Sequence, residues 1–176
     1  MSSEFMKKSV IIATHPDREA GPNPHLTPLG AEQAKEMKKR LPVQDGVPEV
    51  VCGTGRRHME TAGLCNYVPT RYSECVGGPE SLIQIVGGRR LIVLADGTSI
   101  DEAAYTGVKD GAVGAIALVS ALPAGSVVAA GRPLMIQLGF PQAKSGSIYF
   151  VEIEWTEGPT GCYYNPLKIS PLYESP

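Results

Sequence analysis

The sequence predicts a three-layer α/β/α domain built on a mostly parallel central sheet. Three observations carry that expectation. Short apolar runs rich in Val, Ile and Ala recur at 9–13, 48–52 and 125–130, and continuous runs of this kind suit strands buried on both faces. Each is followed by a polar or glycine-containing break and then by a segment of helical periodicity, the alternation of an α/β fold. The chain has 176 residues, 43% hydrophobic and 19% charged, enough for one domain to bury a core without a disulfide or metal staple.

In chain order, Ser9–Ala13 reads as the first strand and Asp17–His25 as a polar loop full of chain breakers. A helix follows, with Thr27 as N-cap, Pro28 in the first turn and Leu29, Ala34, Met37 and Leu41 as its apolar stripe. Lys38-Lys39-Arg40 complements the helix dipole and Pro42 ends it. Pro48–Cys52 is the second strand, and Gly53-Thr54-Gly55 turns into a helix carrying Arg56, Arg57 and His58. A third strand lies within 70–76, and Gly77-Gly78-Pro79-Glu80 opens a short helix through Ile85. Arg90–Leu94 and Thr98–Ile100 flank Asp96-Gly97 as a hairpin, with a single strand followed by a helix as the competing reading. A small-residue helix over 112–122, a strand at 125–130, a helix at 134–138 and an alternating strand at 147–155 complete the domain. Thr156-Glu157-Gly158 is the turn after that strand, and the tail from Gly161 is irregular with at most one short strand.

Residues 1–5 read as an expression scar ahead of a start at Met6, leaving 6–176 as one domain. The net charge of −2 argues against a broad nucleic-acid-binding face. No apolar run is long enough to span a bilayer, and no signal peptide is visible, so the expected compartment is the cytoplasm. Cys52 and Cys65 sit in apolar surroundings as core thiols, one disulfide among the four cysteines stays open, and no C-x-x-C pair suggests a metal.

Polar groups gather where strands end. Thr14-His15 with Arg18 follows the first strand, Arg56-Arg57-His58 the second, and Arg132 the strand at 125–130. Ligands of open α/β sheets bind beyond the carboxyl ends of the strands. The order and spacing of four segments resemble the histidine phosphatase, or phosphoglycerate mutase-like, superfamily. The small bacterial phosphohistidine phosphatases are nearest in size. Thr14-His15-Pro16 stands where that family has Arg-His-Gly. Leu26-Thr27-Pro28-Leu29-Gly30-Ala31-Glu32-Gln33-Ala34 matches its Leu-Thr-x-x-Gly-x-x-Gln-Ala helix start. Arg57-His58-Met59-Glu60-Thr61-Ala62 keeps the Arg and the Thr-Ala of Arg-Ala-x-x-Thr-Ala. Gly78-Pro79-Glu80 resembles the middle segment, and 125–138 the last core strand and helix.

The resemblance implies phosphoryl transfer through a histidine nucleophile, His15, with no cofactor or metal. Arg57, Arg18 and Arg132 would hold the phosphoryl oxygens, since a guanidinium binds phosphate bidentately and stays charged. Thr14 would border the phosphate, and Glu80 is the candidate acid for the leaving oxygen. The implied partner is a phosphorylated small molecule or a phosphoprotein. The chain departs from the family pattern at Thr14 and Pro16, at Gly53-Thr54 in place of Ser-Pro, and at the second family histidine, replaced by Gly131 or Arg132. These departures support the alternative of a catalytically impaired relative that binds a phosphorylated ligand. Read from the sequence, His58 and His25 are surface groups or lie behind the pocket.

Overall fold

The computed structural model describes residues 5–107 and 114–176. The central sheet contains β1 (Met6–Thr14), β2 (Val50–Cys52), β3 (Arg71–Tyr72), β7 (Val127–Ala130), β8 (Ile148–Gly158), β9 (Gly161–Tyr164) and β10 (Lys168–Tyr173). Its order is β10-β8-β1-β7-β2-β3, with β9 paired to β8. The four strands β1, β7, β2 and β3 run parallel, and β8 continues the sheet antiparallel to β1. Among the described residues four α-helices accompany it: α1 (Pro28–Lys38), α2 (Arg56–Leu64), α3 (Ala115–Ala121) and α4 (Arg132–Gln137).

Alternation along β1 divides the core. Val10 and Ile12 join α3 and α4 through Leu118, Val119, Leu134 and Met135. Ala13, with Ile11 packed alongside, faces Met37 of α1 and Ala62 of α2. Both strand faces are covered, which is why this strand reads as an unbroken apolar run.

The first helix is capped as its sequence predicts. The Gly30 amide donates to Thr27 Oγ1 at 3.0 Å, and Thr27 Oγ1 donates to Asp17 Oδ2 at 2.6 Å. Its stripe differs from expectation at one end, because Leu29 is exposed and Gly30 is buried in its place. A Cβ at Gly30 would lie 2.0 Å from the Asp17 carbonyl oxygen, so the absent side chain lets the 15–25 loop lie directly on α1.

Three further readings change. The segment expected as a short helix after Glu80 is strand β4 (Leu82–Val86). It pairs antiparallel with β5 (Arg89–Val93), which pairs with β6 (Ser99–Asp101) in a separate small sheet. Gly87 and Gly88 both adopt positive φ between β4 and β5, the conformation that a two-residue hairpin turn requires. The Asp96-Gly97 hairpin forms as read, and Ile92, Leu94 and Tyr105 anchor the small sheet against Met59 and Tyr72. The tail holds two strands rather than at most one, with β8 running on to Gly158 and turning at 159–160. Pro171 sits in β10, an edge strand, where its missing amide costs no ladder bond. The helix read over 112–122 is described from Gly114 onward, and its first two residues lie outside the described residues. All four cysteines are free thiols, with Cys52 and Cys65 buried.

Two glycine substitutions separate packing from helix propensity. Gly30→Ala forces the Asp17 carbonyl away and should cost about 1–3 kcal/mol. Gly63→Ala on α2 meets nothing within 4 Å and should be neutral or stabilising by up to about 1 kcal/mol. Denaturant melts of the two variants beside the parent protein measure both.

Candidate active site

The end of β1 is fastened on both sides. Thr14 is fully buried, and its Oγ1 lies 2.7 Å from the Lys144 carbonyl and accepts from the Ser147 amide at 3.0 Å. The His15 amide donates to the Ala130 carbonyl at 3.0 Å, and the Gly146 amide donates to the His15 carbonyl at 3.1 Å. Strand β7 and the 144–147 turn therefore hold His15 where it leaves the sheet. The reading of Thr14 as a phosphate holder does not fit this placement, because its hydroxyl is committed to the backbone of that turn.

His15 is 8% exposed. Its Nδ1 lies 2.9 Å from the Pro16 carbonyl oxygen. A carbonyl only accepts, so Nδ1 carries the proton and the Nε2 lone pair is free in the neutral ring. Pro16 lacks the amide of the family glycine but supplies the carbonyl that sets this tautomer. Burial pushes the His15 pKa down to about 4. The Pro16 hydrogen bond opposes that shift, while the positive charges of Arg57, Arg18 and Arg132 reinforce it.

Helix α2 begins right after β2, with Gly55 as its N-cap residue in extended backbone. Arg57 follows in its first turn, and its Nε is buried without a hydrogen-bond partner. Burial and the charge of Arg18 lower its pKa. Arg57 lines a cleft with Pro22, Glu74, Gly77 and Pro79. Arg18 is exposed beside His15 in an adjoining depression, its Nη1 donating to the Glu19 carbonyl at 3.2 Å. Arg132 is exposed at the start of α4, its Nε donating to the Ala143 carbonyl at 2.9 Å. The structure thus brings His15 within electrostatic reach of all three arginines named from the sequence.

Glu80 is exposed and follows Gly77-Gly78-Pro79. That segment is fastened to the β2–α2 turn: the Thr54 amide donates to the Gly77 carbonyl, and Thr54 Oγ1 donates to the Pro79 carbonyl at 2.6 Å. Asp17 is held by Thr27 rather than by Arg18. His25 is a surface group, as read, with Nδ1 2.9 Å from Glu60 Oε2.

Of the two readings given for His58, the structure excludes the surface one and places the ring behind His15. His58 is fully buried, and its ring stands edge-to-face against His15 with centroids 5.3 Å apart. Burial holds its pKa well below the usual histidine range, with the charge of Arg57 adding to the shift. The signal available in the sequence was its place next to Arg57, together with glycines at 53, 77 and 131 where the adjoining segments meet.

Among solved structures, a mycobacterial glucosyl-3-phosphoglycerate phosphatase aligns with 97% of this chain and 100% of its own, with a TM-score of 0.57 at 12% sequence identity. The chain shares the fold of that phosphatase. Two chains named as phosphohistidine phosphatases also align. The one from Nakamurella multipartitia covers 97% of this chain and 99% of its own, with a TM-score of 0.44 at 15% identity. The one from Agrobacterium tumefaciens covers 93% and 97%, with a TM-score of 0.42 at 12% identity. No protein-family model and no curated protein matches the sequence. Among the described residues, no helix is long and apolar enough to cross a membrane.

Two buried bases with lowered pKa values make stability depend on pH with a fixed sign. Between about pH 4 and 6.5 the unfolded chain protonates His15 and the folded chain does not. Stability is therefore full above the ordinary histidine range and falls as the pH drops through this window, by up to about 3 kcal/mol from His15 alone. His58 acts in the same direction. Nitrogen-detected NMR titration should place the His15 midpoint near 4, and His15→Asn should flatten the loss of melting temperature between pH 7 and 5.

Proposed function

We propose that this protein is a phosphomonoester hydrolase that transfers a phosphoryl group through His15. The observation that carries this reading is the state of His15: a neutral ring whose tautomer is set by Pro16, with Nε2 unprotonated and three guanidinium groups acting on it. A neutral imidazole is the nucleophilic form, and a cationic surround attracts the phosphate dianion.

In the first step His15 Nε2 attacks phosphorus. A P–N bond forms as the bond between phosphorus and the ester oxygen breaks. Arg57, Arg18 and Arg132 carry the charge on the non-bridging oxygens. Glu80 gives a proton to the departing oxygen when the leaving group is a poor one. Water then attacks the phosphohistidine and gives its proton to the Glu80 carboxylate, the P–N bond breaks with its electron pair returning to Nε2, and inorganic phosphate leaves. The substrate is a phosphorylated small molecule or a phosphoprotein. No step calls for a metal, and no cluster of three or more His, Cys, Asp or Glu suited to one occurs among the described residues.

One observation favours a second reading, a catalytically impaired phosphate-binding relative. The residue before the nucleophile is Thr14, and its hydroxyl faces the 144–147 backbone. A guanidinium at that position would add a direct phosphate contact.

An aryl phosphate assay decides between the readings. The proposed hydrolase shows turnover that His15→Ala abolishes. Arg57→Ala lowers it by roughly a hundred- to a thousandfold, the usual worth of one donor to a developing oxyanion. Glu80→Gln should slow an alkyl phosphate far more than a nitrophenyl phosphate, whose leaving oxygen needs no proton. No turnover, with phosphate at about 100 times its Kd stabilising the fold by about 2.7 kcal/mol, is the outcome of the impaired relative.

A further inference from the structure

The His58 ring lies in a cradle of three glycines drawn from three separate segments. A Cβ on Gly53, after β2, would lie 2.5 Å from its Cδ2. A Cβ on Gly77, in the loop after β3, would lie 2.7 Å from its Nε2. A Cβ on Gly131, after β7, would lie 3.4 Å from its Cε1 and 3.8 Å from Nε2. No side chain larger than hydrogen fits at 53 or 77, and a longer one at 131 would point into the volume that the ring occupies. Gly131 itself has φ −98° and ψ 165°, a backbone that any residue adopts. A Cβ there would meet Pro133 Cδ first, at 3.2 Å, and the ring only at ordinary contact distance, so what the ring excludes at 131 is a longer side chain.

The ring is also polar and unsatisfied. Both nitrogens are buried and neither makes a well-formed hydrogen bond, although the Ala130 backbone lies close enough to favour a proton on the ring. A buried polar group without a good partner destabilises the fold. A histidine kept only for packing would be replaced at no loss by an apolar side chain of similar size. His58 instead stands against the nucleophile, beside an Arg57 whose Nε is also unmatched. Two donors left open next to His15 call for an acceptor that arrives with the ligand.

We propose that His58 is the second imidazole of the phosphoryl site, delivered from helix α2 into the space that a side chain at position 131 would otherwise fill. It donates a hydrogen bond to a phosphoryl oxygen while the group is on its way to or from His15. This rests on the phosphoryl-transfer reading above. It adds that the chain supplies its second histidine from a different backbone position, with Gly53, Gly77 and Gly131 shaped to admit it. The lowered proton affinity of His58 agrees with this role: the empty site holds it neutral among cations, and an arriving phosphate dianion favours its charged form.

The test is a relocation. Turnover of an aryl phosphate and affinity for inorganic phosphate are measured for the parent protein and for His15→Ala, His58→Ala, His58→Gln, Gly131→His and the double variant His58→Ala/Gly131→His. Thermal melts report folding of each. The expected result is a loss of roughly a hundredfold or more in His58→Ala, weaker phosphate binding, and recovery to within about tenfold in the double variant. Gly131→His alone should be destabilised, because two rings then compete for one space. If His58→Ala does not fold, His58→Gln, which keeps a donor, serves with NMR of the parent protein: the His58 ring signals should shift on adding phosphate. Turnover that depends on His15 but is unchanged in His58→Ala overturns this proposal and leaves the hydrolase reading standing. Phosphate-insensitive His58 signals, in a protein that binds phosphate, overturn it as well. A parent protein with neither turnover nor phosphate affinity overturns both.

Discussion

The site depends on the hydrogen bonds that fasten the end of β1. Thr14 Oγ1 binds the turn at 144–147, and the His15 amide binds the Ala130 carbonyl at the end of β7. Those bonds join the first strand of the chain to strands more than a hundred residues away. They make His15 the last residue fixed by the sheet, and the Pro16 carbonyl then fixes its ring. Without that junction His15 would sit on a loop, and the arginines around it would have no fixed point to converge on. Thr14 thus serves by holding the scaffold where the related pattern has an arginine. Its hydroxyl is committed to buried hydrogen bonds to the 144–147 turn.

The charges around His15 follow a single logic. Burial is the main reason that the ring disfavours a proton, and the charges of Arg57, Arg18 and Arg132 add to it. Nearby carboxylates are engaged elsewhere: Asp17 by Thr27, Glu60 by His25 and Glu74 by the Tyr105 hydroxyl. Cations held this close to two neutral imidazoles repel one another, and an anionic ligand relieves that repulsion. The same cations that would favour an anionic ligand thus add to the fall in stability toward acid pH, whose main cause is burial.

Much of this was legible in the sequence, for physical reasons. The buried strands 9–13 and 125–130 show as unbroken apolar runs because helices cover both faces. Thr27 and Pro28 mark the start of α1 because its first amides need an acceptor. The polar residues at strand ends mark the site because parallel strands all deliver their carboxyl ends to one edge. What stayed hidden was whatever depends on long-range approach. The Gly87-Gly88 turn made 82–86 a strand, although its apolar residues also suit a short helix. The commitment of Thr14 is set by a turn 130 residues away. His58 looked like a neighbour of Arg57, because the cradle that receives it is assembled from Gly53, Gly77 and Gly131, which are distant in the chain.

The central claim is that His15 carries the phosphoryl group, and trapping that group tests it most directly. The protein is mixed with an aryl phosphate, quenched in alkali to preserve phosphohistidine, digested and read by mass spectrometry. The account predicts one added phosphoryl group on the peptide holding His15, absent in His15→Ala and with no label on other peptides. Turnover that proceeds without this adduct, or an adduct on another residue, would contradict it.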